Sequence, residues 1–250
     1  MNQPEFSVII PAHNEEKYIT ACLDSVKKAS EPHNLRVETI VVLNRCTDKT
    51  EAIAVSAGAR IVHDDSRNLS RIRNAGANVA GGEILVTIDA DSTMSPDMLI
   101  EIEKNLLTGK FIGGGVEVYP ERRSPGINVT YFLLKVSLFF TGLSGGLYWC
   151  YLKDFNAAGK FNENLSFAED IEFAKRLRLH GKKSGKKFHT IKNAHITTSC
   201  RKFDHFGEWF MFTLLLSKTR EIREGLKGKN TKFADKYFYD FNTNTGDGLK

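Results

Sequence analysis

The segment ILVTIDADS, residues 84–92, decides the fold. Its first five residues, Ile84–Ile88, are apolar or β-branched with no polar alternation, a pattern typical of a strand buried on both faces. Two acids, Asp89 and Asp91, follow that strand directly. Because ligands of open α/β sheets gather at the carboxyl ends of the strands, we expect a polar site at this strand end.

Upstream of this segment, short β-branched runs alternate with helical patterns. Helices are expected after Asn14, from a capping box of Asp48 and Glu51 to Gly58, and over residues 70–80. The strand, helix, strand repetition predicts one α/β domain, a Rossmann-like, mostly parallel sheet sandwiched between helices. The expected strands of this half are residues 6–10, Val37–Leu43, Arg60–His63 and Ile84–Ile88.

After Pro96 the pattern changes, and we divide the expected domain, residues 1–225, into halves 1–95 and 96–225. Ser166 and Glu169 have the spacing of a second capping box, whose helix should end at Gly181. A polar C-terminal tail is expected over residues 226–250. The other elements expected in the second half are a helix over Met98–Leu107, strands over residues 111–119 and 189–199, and a helix over residues 203–216.

Two glycine clusters and two aromatic segments of the second half need an interpretation. Gly113, Gly114 and Gly115 predict a strand packed closely against a bound substrate, whereas Gly145 and Gly146 would let a substrate approach the backbone. Residues 131–149 are interrupted by Lys135 and glycines, so we predict a buried helix followed by a glycine loop. The aromatic residues within 131–140 and 203–212 could also form an apolar substrate groove or touch a membrane surface; helical core is the default.

Composition excludes several classes of protein. The 250 residues are 41% apolar and carry a net charge of +5, too small and scattered an excess for a nucleic-acid-binding protein. The four cysteines form no CxxC pair, which argues against a zinc knuckle or a disulfide framework. The N-terminus lacks the pattern of a secretory signal, so we expect a cytoplasmic location.

Paired acids after a strand suit a hard divalent cation. The spacing of Asp89 and Asp91 lets both carboxylates point to one side, and Mg²⁺ or Mn²⁺ would keep phosphates and water as its other ligands. The alternative is a solvated turn in which Asp91 or Ser92 caps the next helix. No GxGxxG follows the first strand, which argues against a dinucleotide-dependent dehydrogenase.

Four segments together resemble the family 2 inverting glycosyltransferases, which have the glycosyltransferase A fold. The resemblance covers about residues 6–207 and implies an enzyme that moves a sugar from a UDP- or GDP-sugar to an acceptor hydroxyl. The acceptor would be a glycan, a glycolipid or a small molecule. The matching segments, in the order of the family, are FSVIIPAHNEE, VVLNRCTDKT, RIRNAGANVAGGEILVTIDADS and FAEDIEFAKRL.

The resemblance implies roles on the donor side. Asn44 would lie near the base, although many relatives carry an aspartate there, and Asp91 would bind the metal with His195 as a further ligand. Arg201 and Lys202 would neutralise the diphosphate. Pro11, His13 and Glu15 would line the nucleoside pocket, with Asp48 behind the base. Arg73 and its neighbour Asn74 would face the donor, the arginine at the diphosphate or the sugar, and Asp89 would contact the ribose or sugar.

Glu169 and Asp170 match the ED motif of the family, whose aspartate is the catalytic base. Asp170 would take the proton of the acceptor hydroxyl as that oxygen attacks the anomeric carbon. The alternative is structural, because an acid in the first turn of a helix is favoured by the helix dipole. Two other functions stay open: a sugar-phosphate nucleotidylyltransferase, and a catalytically silent module that binds sugar nucleotide or glycan.

Overall fold

The computed structural model describes residues 4–165, 168–210 and 212–213, without the side chains of residues 137–141. The strands are Phe6–Ala12 (β1), Val37–Leu43 (β2), Arg60–His63 (β3), Ile84–Ile88 (β4), Ser92–Met94 (β5), Phe111–Pro120 (β6), Leu147–Tyr151 (β7) and Lys187–Thr198 (β8). The helices are Ile19–Ser30 (α1), Thr50–Ser56 (α2), Leu69–Asn78 (α3), Met98–Leu107 (α4), Pro125–Thr141 (α5), Leu152–Ala157 (α6), Glu169–Lys183 (α7) and Arg201–Phe206 (α8).

All eight strands form one sheet in the order β3-β2-β1-β4-β7-β6-β8-β5. β1 pairs in parallel with β2 and β4, while β7 runs antiparallel to β4 and β6. The chain crosses from one side of β1 to the other between β3 and β4, which creates a switch point at the carboxyl ends of β1 and β4. The residues that follow these two strands therefore face one crevice.

Helices cover both faces of the sheet, which confirms the predicted α/β architecture. On one face, α1, α2 and α4 pack on side chains such as Val8 and Val86. On the other, α3, α6 and α7 pack on Ile9 and Leu85. Burial on both faces explains why β1 and β4 are continuous apolar runs rather than alternating ones.

Close packing against neighbouring segments of the protein explains the glycines of β6. A Cβ at Gly114 would lie 1.7 Å from the carbonyl oxygen of His189 on β8, and a Cβ at Gly113 would lie 2.4 Å from that of Trp149 on β7. A Cβ at Gly115 would lie 2.4 Å from Oγ of Ser144, in the turn before β7. Gly113 and Gly114 therefore let the neighbouring strands pack against β6, and Gly115 makes room for this turn.

Two helix starts differ from the sequence predictions. α1 begins at Ile19 because Asn14 adopts a left-handed conformation and accepts a hydrogen bond from the Thr47 amide (2.8 Å). α2 begins at Thr50, whose amide donates to Asp48 (2.9 Å), so the capping box with Glu51 does not form. Ser166, the predicted cap of α7, lies outside the described residues.

The segment 131–149 was predicted to be a buried helix followed by a glycine loop; the helix and the glycine turn are present, but the predicted burial was wrong. α5 begins at Pro125 and exposes several apolar side chains, with Phe132 66% exposed. After a glycine turn the chain enters β7, an antiparallel strand that the sequence patterns did not indicate. Within the described residues, no helix combines the length and hydropathy that a membrane span requires.

Other helix ends also differ from expectation. α7 continues past Gly181 to Lys183, because Gly181 packs tightly on Ile112 instead of ending the helix. The helix expected over residues 203–216 is broken at Gly207, where φ is 91°. Its last residues, like the tail 226–250, lie outside the described part of the chain.

Candidate active site

Arg73 connects the end of β4 to the start of α7. Its buried guanidinium lies 2.7 Å from an oxygen of Asp89 and 2.5 Å from an oxygen of Glu169. Burial alone would lower the pKa of Arg73, but Asp89 and Glu169 outweigh it and raise the pKa above its ordinary value. A permanently charged arginine therefore joins two acids that are 80 residues apart in the chain.

The ED pair stands at the first turn of α7. Glu169 is buried, whereas Asp170 is partly exposed and accepts a hydrogen bond from the Ile171 amide (2.7 Å). Burial raises the pKa of both carboxyls, and Arg73 partly offsets the rise. A carboxylate with increased proton affinity is suited to accept a proton from a substrate.

Asp91 is held by the segment between β8 and α8. Its carboxylate accepts a hydrogen bond from the Ser199 hydroxyl (2.9 Å) and lies 3.0 Å from the guanidinium of Arg201. The same guanidinium donates to both oxygens of Glu15, at 2.6 and 2.7 Å. Arg201 thus links the turn after β1 to the turn after β4.

The pKa values of two neighbouring residues show that the surroundings of Asp91 and Arg201 are enclosed. Burial raises the pKa of Glu15 to about 7, although Arg201 opposes the rise. Burial also lowers the pKa of Lys202, against the opposing effect of Asp91 and Asp89. Arg201 and Lys202 bring two basic groups to the paired aspartates.

The structure brings together, at the ends of β1 and β2, the two segments that were predicted to contact a nucleoside. Nδ1 of His13 lies 2.6 Å from the carbonyl oxygen of Asn44, and the Glu16 amide donates to Asp48 (3.0 Å). The side-chain amide of Asn44 donates to the carbonyl oxygens of Asp64 (2.5 Å) and Ser66 (2.6 Å). Asn44 therefore fixes the loop after β3, and its N–H groups are directed into the protein. Pro11 is buried within β1 at the floor of this turn.

The structure does not bring His195 next to Asp91. The backbone of Ser199 pairs with Asp91, and His195 lies four residues earlier on β8, about 13 Å along the strand. Its ring packs edge-on against Tyr119, with ring centroids 5.0 Å apart. Asn74 also points elsewhere: its amide binds the backbone of Phe161.

This site offers hard oxygen ligands to a cation. The described residues contain no group of three His, Cys, Asp or Glu side chains arranged to hold a metal. Asp91 and the 44% exposed Asp89 side chain supply carboxylate oxygens. This donor set fits Mg²⁺ or Mn²⁺, which use few protein ligands when phosphates and water complete the shell.

Sequence reasoning missed two side chains that shape the site. Ser199, which binds Asp91, precedes two basic residues and has no motif of its own. Tyr148 lies on β7, the strand that the patterns did not indicate, and its buried hydroxyl faces the Asp170 side of the sheet. Recognition of β7 as a strand would have identified Tyr148, because alternation sets the faces of its residues.

Solved structures of similar fold come from several organisms. S. aureus TarS 1-349 in complex with UDP-GlcNAc superposes with a TM-score of 0.63 at 20% identity, covering 78% of this chain and 58% of that one. The mannosyltransferase PcManGT from Pyrobaculum calidifontis, in complex with GDP-Man and Mn²⁺, gives a TM-score of 0.62 at 20% identity, covering 97% and 72%. These likenesses establish the fold.

Sequence comparison gives the family. Glycosyltransferase AglE of Haloferax volcanii is 26% identical over 236 residues, 89% of this chain and 73% of AglE. The putative glycosyltransferase EpsH of Bacillus subtilis is 28% identical over 102 residues, and the match spans only 29% of the length of EpsH. The family described as Glycosyl transferase family 2 matches residues 7–150. This match covers more than half of the chain, which therefore belongs to glycosyl transferase family 2.

Proposed function

We propose that the chain is an inverting, metal-assisted glycosyltransferase that moves a sugar from a UDP- or GDP-sugar to an acceptor hydroxyl. The observation that carries this proposal is the link through Arg73, which holds Asp89 and the ED helix around one crevice. Donor and acceptor machinery thereby face each other across the ends of β1 and β4. Relatives of similar fold bind UDP-GlcNAc, or GDP-Man with Mn²⁺, which supports the donor class.

In this proposal Asp170 acts as general base. As the acceptor oxygen forms its bond to the anomeric carbon, its proton passes to Asp170, and the bond between that carbon and the diphosphate oxygen breaks. The electron pair of the broken bond leaves with the diphosphate, and attack from the opposite face inverts the stereocentre. The raised pKa of Asp170 supports its role as proton acceptor. Glu169, paired with Arg73, would hold the start of α7 in place.

The donor side would neutralise the leaving group. Asp91, with Asp89 beside it, would hold Mg²⁺ or Mn²⁺, and the bound ion supplies positive charge to the departing diphosphate. Arg201 and Lys202 would add their charges, which requires Arg201 to share its contacts with Glu15 and Asp91. His195 could join the metal site only after β8 moves, so we assign it no part in the proposed chemistry.

The nucleoside would lie across the turns after β1 and β2. Pro11, His13 and Glu15 line the first turn, while Asn44 and Asp48 stabilise the second through the bonds described above. Apart from Arg201 and Lys202, the residues that bind the donor would lie within 1–95, and residues 96–225 would bind the acceptor.

The acceptor would be a glycan, a glycolipid or a small molecule. Exposed apolar side chains of α5, among them Phe132, Leu133 and Leu134, support an apolar acceptor or peripheral contact with a membrane from the cytoplasm. Flotation with anionic vesicles tests the membrane contact: Phe132→Ser should reduce binding, and equal flotation of variant and wild type would contradict it.

A donor screen tests the proposed function. Purified protein is mixed with UDP-, GDP- and dTDP-sugars, with and without Mn²⁺ or Mg²⁺, and thermal shift and donor hydrolysis are measured. We expect a metal-dependent response to one class of donor; no response to any of them would contradict the donor assignment. Asp170→Asn should keep donor affinity and lose turnover. Wild-type turnover in Asp170→Asn would show that Asp170 is not the general base.

A further inference from the structure

Tyr148 carries a buried hydroxyl that has no hydrogen-bond partner among the described residues. The residue is 4% exposed and lies on β7, opposite Thr87 of β4. Its ring packs edge-on against Phe173 of α7, with ring centroids 6.2 Å apart. Phe173 lies one turn after Asp170, so the phenol is directed along α7 toward the Asp170 carboxylate.

Gly145 marks the space that the two polar groups share. A Cβ at Gly145 would lie 3.6 Å from the Tyr148 hydroxyl and 3.7 Å from Oδ2 of Asp170, with no closer contact. The backbone of Gly145 is not left-handed, so its conformation does not demand glycine. The missing side chain instead leaves room for about one methyl group, in ordinary van der Waals contact with a hydroxyl donor and a carboxylate.

The adjacent Gly146 has a different reason to be glycine. Its φ is 83°, and a Cβ there would lie 2.7 Å from Val118 and 2.8 Å from Ile196. Gly146 is therefore required by the turn into β7. Of the two glycines, Gly145 alone faces Asp170.

We propose that the reacting hydroxyl of the acceptor binds above Gly145, between Tyr148 and Asp170. This inference rests on the proposed function, in which Asp170 is the base. The acceptor oxygen would accept a hydrogen bond from Tyr148 through one lone pair, donate its proton to Asp170, and attack the anomeric carbon with its other lone pair. Tyr148 keeps its own proton throughout, and its hydroxyl orients the nucleophile.

The Tyr148 hydroxyl has no partner within the described part of the chain, and this allows a stability control. Removing a hydroxyl that makes no hydrogen bond there should cost little or no folding stability. Tyr148→Phe should therefore unfold at the same temperature as the wild type or higher. A purely structural role would instead lower stability together with activity.

The experiment measures hydrolysis of UDP-GlcNAc or GDP-mannose with Mn²⁺, using the donor that the wild-type protein hydrolyses, with water as the acceptor. Tyr148→Phe should reduce kcat about tenfold with the donor KM within twofold of the wild type. Gly145→Ala fills the opening with a methyl group and should reduce kcat at least as much, again with unchanged donor KM. Tyr151→Phe removes a hydroxyl from the same strand near Glu83 and Asp154, and should match the wild type.

Asp170→Asn, measured in parallel, separates this inference from the proposed function. If Asp170→Asn abolishes hydrolysis while Tyr148→Phe and Gly145→Ala keep wild-type kcat, the acceptor position is wrong and the base assignment stands. If Asp170→Asn keeps wild-type kcat, the base assignment fails and this inference fails with it. Loss of kcat in all three variants, with the Tyr151→Phe control unaffected, supports both.

Discussion

The guanidinium of Arg201 lies 3.0 Å from the carboxylate of Asp91, the residue proposed to bind the metal. The side chains of Arg201 and Asp91 are 16% and 13% exposed, so solvent screens the pair only weakly. Arg201 is also bound to both oxygens of Glu15. A cation that approaches Asp91 must therefore compete with a positive charge that the protein supplies itself.

Arg201→Gln should tighten Mn²⁺ binding in the absence of nucleotide. The substitution removes a like charge from beside Asp91 and releases one carboxylate oxygen, which we expect to lower the Kd for Mn²⁺ about fivefold. Titration of free Mn²⁺ by electron paramagnetic resonance measures the change. Arg36→Gln is the control, because exposed Arg36 pairs with Glu5 before β1, away from the site. Unchanged or weaker Mn²⁺ binding in Arg201→Gln would show that Asp91 is not the metal ligand.

Arg73 should matter more for stability than any exposed arginine. Arg73→Met leaves Glu169 buried without its partner, and loss of one partner of a buried ion pair costs about 3–5 kcal/mol of the free energy of unfolding. Urea unfolding of the variant measures this loss. Arg71→Met is the control, since Arg71 is 57% exposed and pairs with Glu163 at the surface, where a pair contributes at most about 1 kcal/mol. Similar small losses in both variants would contradict a buried network centred on Arg73.

Much of the fold could be predicted from the sequence because local patterns of apolar residues indicated the strands and helices. β2, β3, β4 and α4 have the predicted bounds. The apolar runs of β4 and of the second half of β2 are buried, as their patterns indicated, whereas β3 is only partly buried. β7 was missed because its residues, LYWCY, follow a glycine turn after an apolar helix and show no β-branched side chain. Its strand character comes from pairing with β4 and β6, a long-range effect.

The candidate site was predictable as a set of residues and less so as a set of contacts. Asp89, Asp91 and the ED pair were identified by strand ends and a motif. That Arg73 would bind both Asp89 and Glu169, or that Arg201 would bind Glu15, depends on how separate turns meet in space. The pattern of a single sequence does not indicate which turns lie next to each other in the folded protein.

Glu15 should make stability depend on pH between about 5 and 8. Because burial raises the pKa of Glu15 to about 7, the folded protein keeps a proton there that the unfolded chain releases near pH 4.5. The stabilising contribution of protonated Glu15 is complete below about pH 4.5 and is lost as the pH rises through about 7. Relative to Glu15→Gln, the wild type should lose about 2 kcal/mol of unfolding free energy over this range. Urea unfolding at pH 5 and pH 8 measures the difference.

Urea unfolding at the two pH values can also contradict this prediction. Both oxygens of Glu15 accept hydrogen bonds from Arg201, an arrangement that favours the ionised carboxylate. If the stabilities of wild type and Glu15→Gln differ by the same amount at both pH values, pairing with Arg201 outweighs burial and Glu15 is ionised throughout.

Asn74 should stabilise the loop that leads to the ED helix. Its buried amide donates to the Phe161 carbonyl (3.0 Å) and to Glu163 (2.9 Å), and it accepts from the Phe161 amide (3.1 Å). Asn74→Ala leaves backbone groups of the loop without partners, so unfolding free energy should fall by about 2 kcal/mol. The Phe161 amide should exchange its hydrogen faster, which hydrogen–deuterium exchange measures. Ser56→Ala, an exposed change on α2 whose hydroxyl bonds only within its own helix, should leave that exchange unaltered. Equal protection of Phe161 in Asn74→Ala and wild type would mean that other contacts hold the loop, and that Asn74 has no part in positioning Asp170.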